Sequence, residues 1–140
     1  MENDFKKSYK GLVLWGILLI SSSVPAAIIF DKILPEEYML YSSFSLTIIF
    51  INILFYIIYK TEYIYWINGV TYEDARKATS EGRKEFAGKH LEKFVNATLM
   101  WGLYGIAKYF FGINLIWDTF AFLMILIPSA ISTVRIKLNR

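Results

Sequence analysis

The chain has 140 residues, of which 56% are hydrophobic and 19% charged, a balance that excludes a disordered chain or one that coats nucleic acid. Its net charge of +3 is too mild to name an acidic partner. The cysteine count is zero, which excludes disulfide scaffolds and thiol-based membrane redox chemistry.

The apolar residues fall in blocks. Residues 12–30 and 38–59 contain no charge, and each block is long enough for a helix to cross about 30 Å of hydrocarbon at about 1.5 Å per residue. The first block exceeds the apolar core of a cleavable signal peptide, about 7–15 residues, and has no small-x-small exit site, so it is expected to remain as a span. A third block, residues 94–134, carries two charges, Lys108 and Asp118. It is about twice the length of one span and must fold back once. Gly112-Ile113-Asn114 supplies residue types that accept left-handed backbone and close tight turns. Strand-like alternation is absent, which argues against a barrel. The expected fold is an all-α integral membrane protein forming a single domain. Its four transmembrane helices, near 12–30, 38–59, 94–111 and 115–134, make two hairpins with an amphipathic helix between them.

Orientation follows the basic residues. Thirteen of the fifteen Lys and Arg lie in the N-terminal arm, in residues 60–93 and in the C-terminal tail. The 31–37 connection and the Gly112 turn hold one between them. The positive-inside rule therefore places both termini and the central segment on the cytoplasmic side of a plasma membrane. The sequon Asn96-Ala97-Thr98 then faces the cytoplasm and reads as chance.

Within residues 60–93, Thr71-Tyr72-Glu73-Asp74 resembles a capping box and predicts a short helix over 72–79, with Ser80 as a second N-cap. From Glu81 onward Phe86, His90, Leu91 and Phe94 form an apolar stripe, with Glu85 and Lys89 four apart on the other side. This amphipathic helix leads into the third span. Its stripe rests on the membrane surface or against the tail, and Phe86, His90 and Leu91 are candidates for docking a partner. Acidic and basic residues interleave here, which argues against a polybasic lipid patch. His90 is the single histidine, so no metal site is expected, and no cofactor is implied.

In the second span Ser42, Ser45, Asn52 and Tyr56 fall on one face about 100° wide, with Ile48, Phe55 and Ile58 elsewhere. Such a face is interhelical glue, or it is a hydrated cavity or peptide groove. Gly16 in the first span and Thr98, Gly102 and Gly105 in the third are small residues that let another helix approach, within the bundle or in a homo-oligomer. Pro25 and Pro128 free the carbonyls of Ser21 and Met124, so kinks are expected there, with nearby serines helping to satisfy the backbone. Lys108 and Asp118 each lie five residues from Ile113, so an antiparallel hairpin sets them at one depth, as an ion pair or an outward-facing site.

The spans hold one Asp and no Glu, His or Cys, too few groups for intramembrane catalysis, and the chain is expected not to be an enzyme. The segment Asn68-Gly69-Val70-Thr71-Tyr72, then Glu81, Lys84-Glu85 and Lys89-His90-Leu91-Glu92-Lys93-Phe94, is followed by a two-span hairpin. Over about residues 60–134 this resembles small Gram-positive membrane proteins that are distantly similar to the immunity proteins against the sporulation-delaying toxin. The resemblance implies a non-enzymatic protein that protects a membrane from a peptide. The expected partners are the lipid bilayer and a peptide or membrane protein, with no nucleic acid. A small oligomeric channel or transporter and an accessory subunit docking through the central helix are the alternatives.

Overall fold

The structure, a computed structural model, describes residues 5–139. Five α-helices follow in order: α1 (Lys10–Ile33), α2 (Glu36–Thr61), α3 (Tyr72–Lys77), α4 (Ser80–Phe111) and α5 (Leu115–Thr133), with a 3-10 turn at Ile64–Trp66 between α2 and α3. Three of them, α1, α2 and α5, are long and apolar enough to cross a membrane, against the four expected. The exception is α4, whose first half is charged and whose second half carries Asn96 and Lys108.

The local signals act largely as read. Gly112 adopts left-handed backbone at φ 60° and closes α4, whereas Asn114 is extended at φ −62° and serves instead as the N-cap of α5, accepting from Ile116 N. Thr71 caps α3, accepting from Asp74 N at 3.1 Å. Thr79, not Ser80, caps α4, accepting from Gly82 N at 3.1 Å. Ser80 is the first helical residue, and its hydroxyl is engaged by Glu62 instead. The helices run unbroken through Pro25 and Pro128. Ser21, Ser22 and Ser129 donate to Leu18, Leu19 and Ile125, not to the freed carbonyls of Ser21 and Met124.

The amphipathic helix and the third span are one helix of 32 residues, about 48 Å long. Its buried residues Phe86, His90, Phe94, Ala97, Trp101 and Lys108 recur near the helical period, so one face continues from end to end. That face packs along α2, and α5 closes against both; α1 lies outside on α2 with no buried residue. One core, Ile48, Ala97, Trp101, Phe122 and Ile125, fills the α2–α4–α5 bundle. A second, around Ile58, Ile64, Tyr65 and Phe86, sits where the chain ends gather, with Phe5, Ile136 and Leu138 packed on it. The N-terminal arm, residues 62–79, the start of α4 and the tail thus share one end of the molecule. The 34–35 and 112–114 turns meet at the other, where residues from both line a single depression.

Candidate functional site

Three polar stations lie along the α2–α4 seam, beginning at the turn end. Lys108 Nζ lies 3.0 Å from Asp118 Oδ1 and donates to the Ile113 carbonyl at 2.9 Å. Tyr104 donates to the same Asp118 oxygen at 2.7 Å. Equal spacing from the turn does bring the pair together, but at burial that the sequence does not indicate: Lys108 is 1% exposed and Asp118 0%. Lys108 does not snorkel to the surface, because its ammonium is held by the carboxylate, the turn carbonyl and the face of the Tyr38 ring. Asp118 Oδ2 is buried and has no hydrogen-bond partner among the described residues. Above this group Glu36, Glu37, Gly112, Ile113 and Asn114 line a shallow mouth of about 450 Å³.

At the middle station, Trp101 Nε1–H donates to Ser45 Oγ at 2.8 Å, and Asn52 Nδ2 donates to Thr98 Oγ1 at 2.7 Å and to the Ile48 carbonyl at 2.9 Å. Ser45 and Asn52 therefore bond across to α4. The expected polar face divides here. Ser42 is half-buried, while Tyr56 is 51% exposed on the outer surface beneath the Lys60 ammonium. Ile48 and Phe55, placed elsewhere by the sequence reading, share the α4-facing side with Asn52: Ile48 joins the core, and Phe55 stacks on Phe94. A span about a third of whose circumference contacts one neighbour mixes polar and apolar residues on that side. Asn52 Oδ1 is a second buried acceptor without a donor.

The small residues separate in the same way. Gly105 lies so close to Tyr41 that any side chain would overlap its ring, and Thr98 accepts from Asn52. Gly16 and Gly102 face open space and join no helix contact in this chain.

The third station, at the chain-end side, escaped the sequence reading. Glu62 follows α2 with left-handed backbone at φ 62°, which is costly for a residue with a side chain. Its carboxylate accepts from Arg83 Nε at 2.9 Å, forms an ion pair with Arg83 at 2.8 Å and accepts from Ser80 at 2.6 Å. Arg83 also donates to the carbonyls of Ala75 and Ala78 and lies on the Phe5 ring. Burial raises the Glu62 carboxyl, but the bonds from Ser80 and Arg83 and the charges of Arg83 and Lys84 outweigh it and hold it below its ordinary value. The N-terminal arm is fastened beside this knot, where Tyr65 and Trp66 bond the Ser8 backbone and Tyr72 bonds the Phe5 carbonyl.

Phe86 and His90, expected to dock a partner, face inward at 5% and 3% exposure, and Leu91 is half-buried. The apolar stripe of α4 is covered by α2, the 3-10 turn and the tail. His90 Nδ1 bonds the Phe86 carbonyl at 2.9 Å, and its ring lies between Phe55 and Phe86. Burial pushes the imidazole below its ordinary value, against the weaker opposite effect of that bond, and favours the neutral ring. No group of metal-ligating residues occurs among the described residues.

No family model, curated protein or solved structure matches this chain.

Proposed function

We propose that this chain crosses a plasma membrane four times, with both termini and residues 60–93 in the cytoplasm, and acts by binding a peptide in the manner of a toxin-immunity protein rather than by catalysis. Four crossings are supported by the pairing of α4 with α2. Trp101, Thr98 and Lys108 meet Ser45, Asn52 and Tyr38 along the length of α2, so a membrane that contains α2 also contains residues 94–111. The low mean hydropathy of that half arises in part from polar groups turned inward. Its outer side is mainly apolar, with Leu99, Leu103, Ile106 and Phe110 all more than half exposed and Asn96 exposed near its cytoplasmic start.

The observation that carries the binding role is the turn end. An acidic mouth bearing Glu36 and Glu37 is joined through Ile113 to the buried Lys108–Asp118–Tyr104 group. A negative rim, on a turn whose Ile113 carbonyl is held by the buried Lys108, attracts a cationic peptide arriving from outside. The two buried acceptors without donors, Asn52 Oδ1 and Asp118 Oδ2, favour a second reading, a water-bearing pathway along the seam.

Two measurements decide between these readings. Cells producing the chain are expected to survive the sporulation-delaying toxin, and the Glu36→Gln/Glu37→Gln variant is expected to lose that protection at unchanged expression. Survival no better than that of cells lacking the chain overturns the proposal. Purified protein in liposomes is expected to pass no ions; a flux abolished by Asn52→Leu establishes the pathway instead.

A further inference from the structure

A cleft of about 790 Å³ opens at the chain-end side between α2, the loop after the 3-10 turn, α4 and the tail. α5 ends at Thr133, and the tail residues Ile136 and Leu138 pack on the core around Ile58 and Phe86 and wall the cleft on one side. The walls are mainly apolar: Leu54, Phe55 and Ile58 come from α2, Phe86 from α4, and Ile136 and Leu138 from the tail. Its size falls within the range of small-molecule sites, about 300–1,000 Å³.

Asn68, Asp74, Thr133 and Lys137 also line this space, and among the polar residues on its walls His90 is the one held rigidly between aromatic rings. The Phe86 carbonyl can only accept, so the neutral His90 ring carries its proton on Nδ1 and leaves Nε2 as a bare acceptor. Among the described residues Nε2 bonds no protein group, yet it is not one of the sealed buried atoms lacking partners there, Asn52 Oδ1 and Asp118 Oδ2. His90 lines the cleft, so Nε2 opens into it. The ring is held in place, since Phe55 stacks on it, the tilted Phe86 ring lies against it and Nδ1 is tied. The remaining charges on the lining are one acid, Asp74, and one base, Lys137, so neither an anionic nor a cationic head is favoured.

We infer that the cleft binds a single-chain lipid with an uncharged hydroxyl head, drawn from the adjoining leaflet, with the hydroxyl donating to His90 Nε2 and the chain lying between α2 and the tail. A long-chain alcohol or a monoacylglycerol has this chemistry. A headgroup that accepts but does not donate leaves the ring nitrogen unmatched, which discriminates more strongly than a change in chain length. The site is at the opposite end of the bundle from the acidic mouth; it rests on the membrane placement proposed above but not on the peptide-binding role.

The test uses the full chain in phosphatidylcholine nanodiscs. Trp66 lines the cleft, so binding is read as the change in fluorescence lost on Trp66→Phe. Saturable binding of 1-dodecanol is expected, with 1-methoxydodecane and dodecyltrimethylammonium about tenfold weaker. His90→Phe preserves the stacking and is expected to equalise the alcohol and the ether. Should His90→Phe fail to fold, Thr133→Trp fills the cleft from α5 and is expected to abolish saturable binding. Equal affinity of the native chain for alcohol and ether, or a signal that rises without saturation as the alcohol partitions into the bilayer, overturns the inference.

Discussion

Asp118 sets one oxygen against both Lys108 and Tyr104 and leaves the other without a donor, so the charge balance of the turn end rests on a single pair. Removing one member leaves the other as an uncompensated buried charge, a change that costs about 3–5 kcal/mol, whereas replacing both with apolar groups costs far less. Lys108→Met is therefore expected to lower stability in detergent by about that amount, and Lys108→Met/Asp118→Leu to recover most of it. Equal unfolding midpoints for the native chain and the single variant would show that the pair is uncoupled. Its meeting is legible in the sequence because both residues are equidistant from Ile113. Tyr104 lies one helical turn before Lys108, so the helical period places it on the same face. The Tyr38 ring was not, because the placement of α2 against α4 is not encoded locally.

At the scale of elements, the knot of Glu62 and Arg83 joins the end of α2, both carbonyls at the end of α3 and the first turn of α4. Its contribution follows pH with a definite sign. The folded carboxyl lies below its unfolded value, so the stabilisation is fully present above the ordinary Glu range, about 4.3, and is lost as pH falls through the folded value. Acid unfolding of the native chain is expected to steepen below about pH 4, and Glu62→Gln to lower stability at neutral pH and flatten that slope. A parallel acid profile in the variant assigns the pH dependence to other carboxylates. Residues 62 and 83 are separated by two turns and a helix, which is why periodicity within any one element does not reveal them. Helix ends, by contrast, are encoded within a few residues: Gly112 and Thr71 act as the sequence predicts, and Asn114 ends the same turn as an N-cap rather than in left-handed backbone. The Ser80 cap moved by one residue because the neighbouring Thr79 has the same chemistry and Glu62 engages the serine.

At the scale of the whole molecule, the gathering of both chain ends and residues 62–79 at one end makes the four-crossing proposal directly testable. The natural sequence has no cysteine, so each introduced thiol reports alone. In right-side-out vesicles, an impermeant maleimide is expected to label Glu36→Cys and Asn114→Cys at once, and Lys77→Cys and Asn139→Cys only after lysis. Labels on opposite sides at Asn114→Cys and Asn139→Cys combined with a shared side for Lys77→Cys and Asn114→Cys mean that α4 does not cross. Composition, block length and turn chemistry determined by themselves that the chain is helical, where α1, α2 and α5 lie and where the last hairpin turns. Each of these depends on residues within one or two helical turns of one another. Only the tertiary structure decided that α4 is continuous, that Phe86 and His90 face inward, that Tyr56 faces out, and that Gly16 and Gly102 are unpartnered. Those outcomes depend on how each helix is rotated about its axis against its neighbours. That rotation is fixed by side-chain fit and hydrogen bonding summed over the bundle, while hydropathy in a chain bounded by apolar surface on most sides identifies no unique inward face.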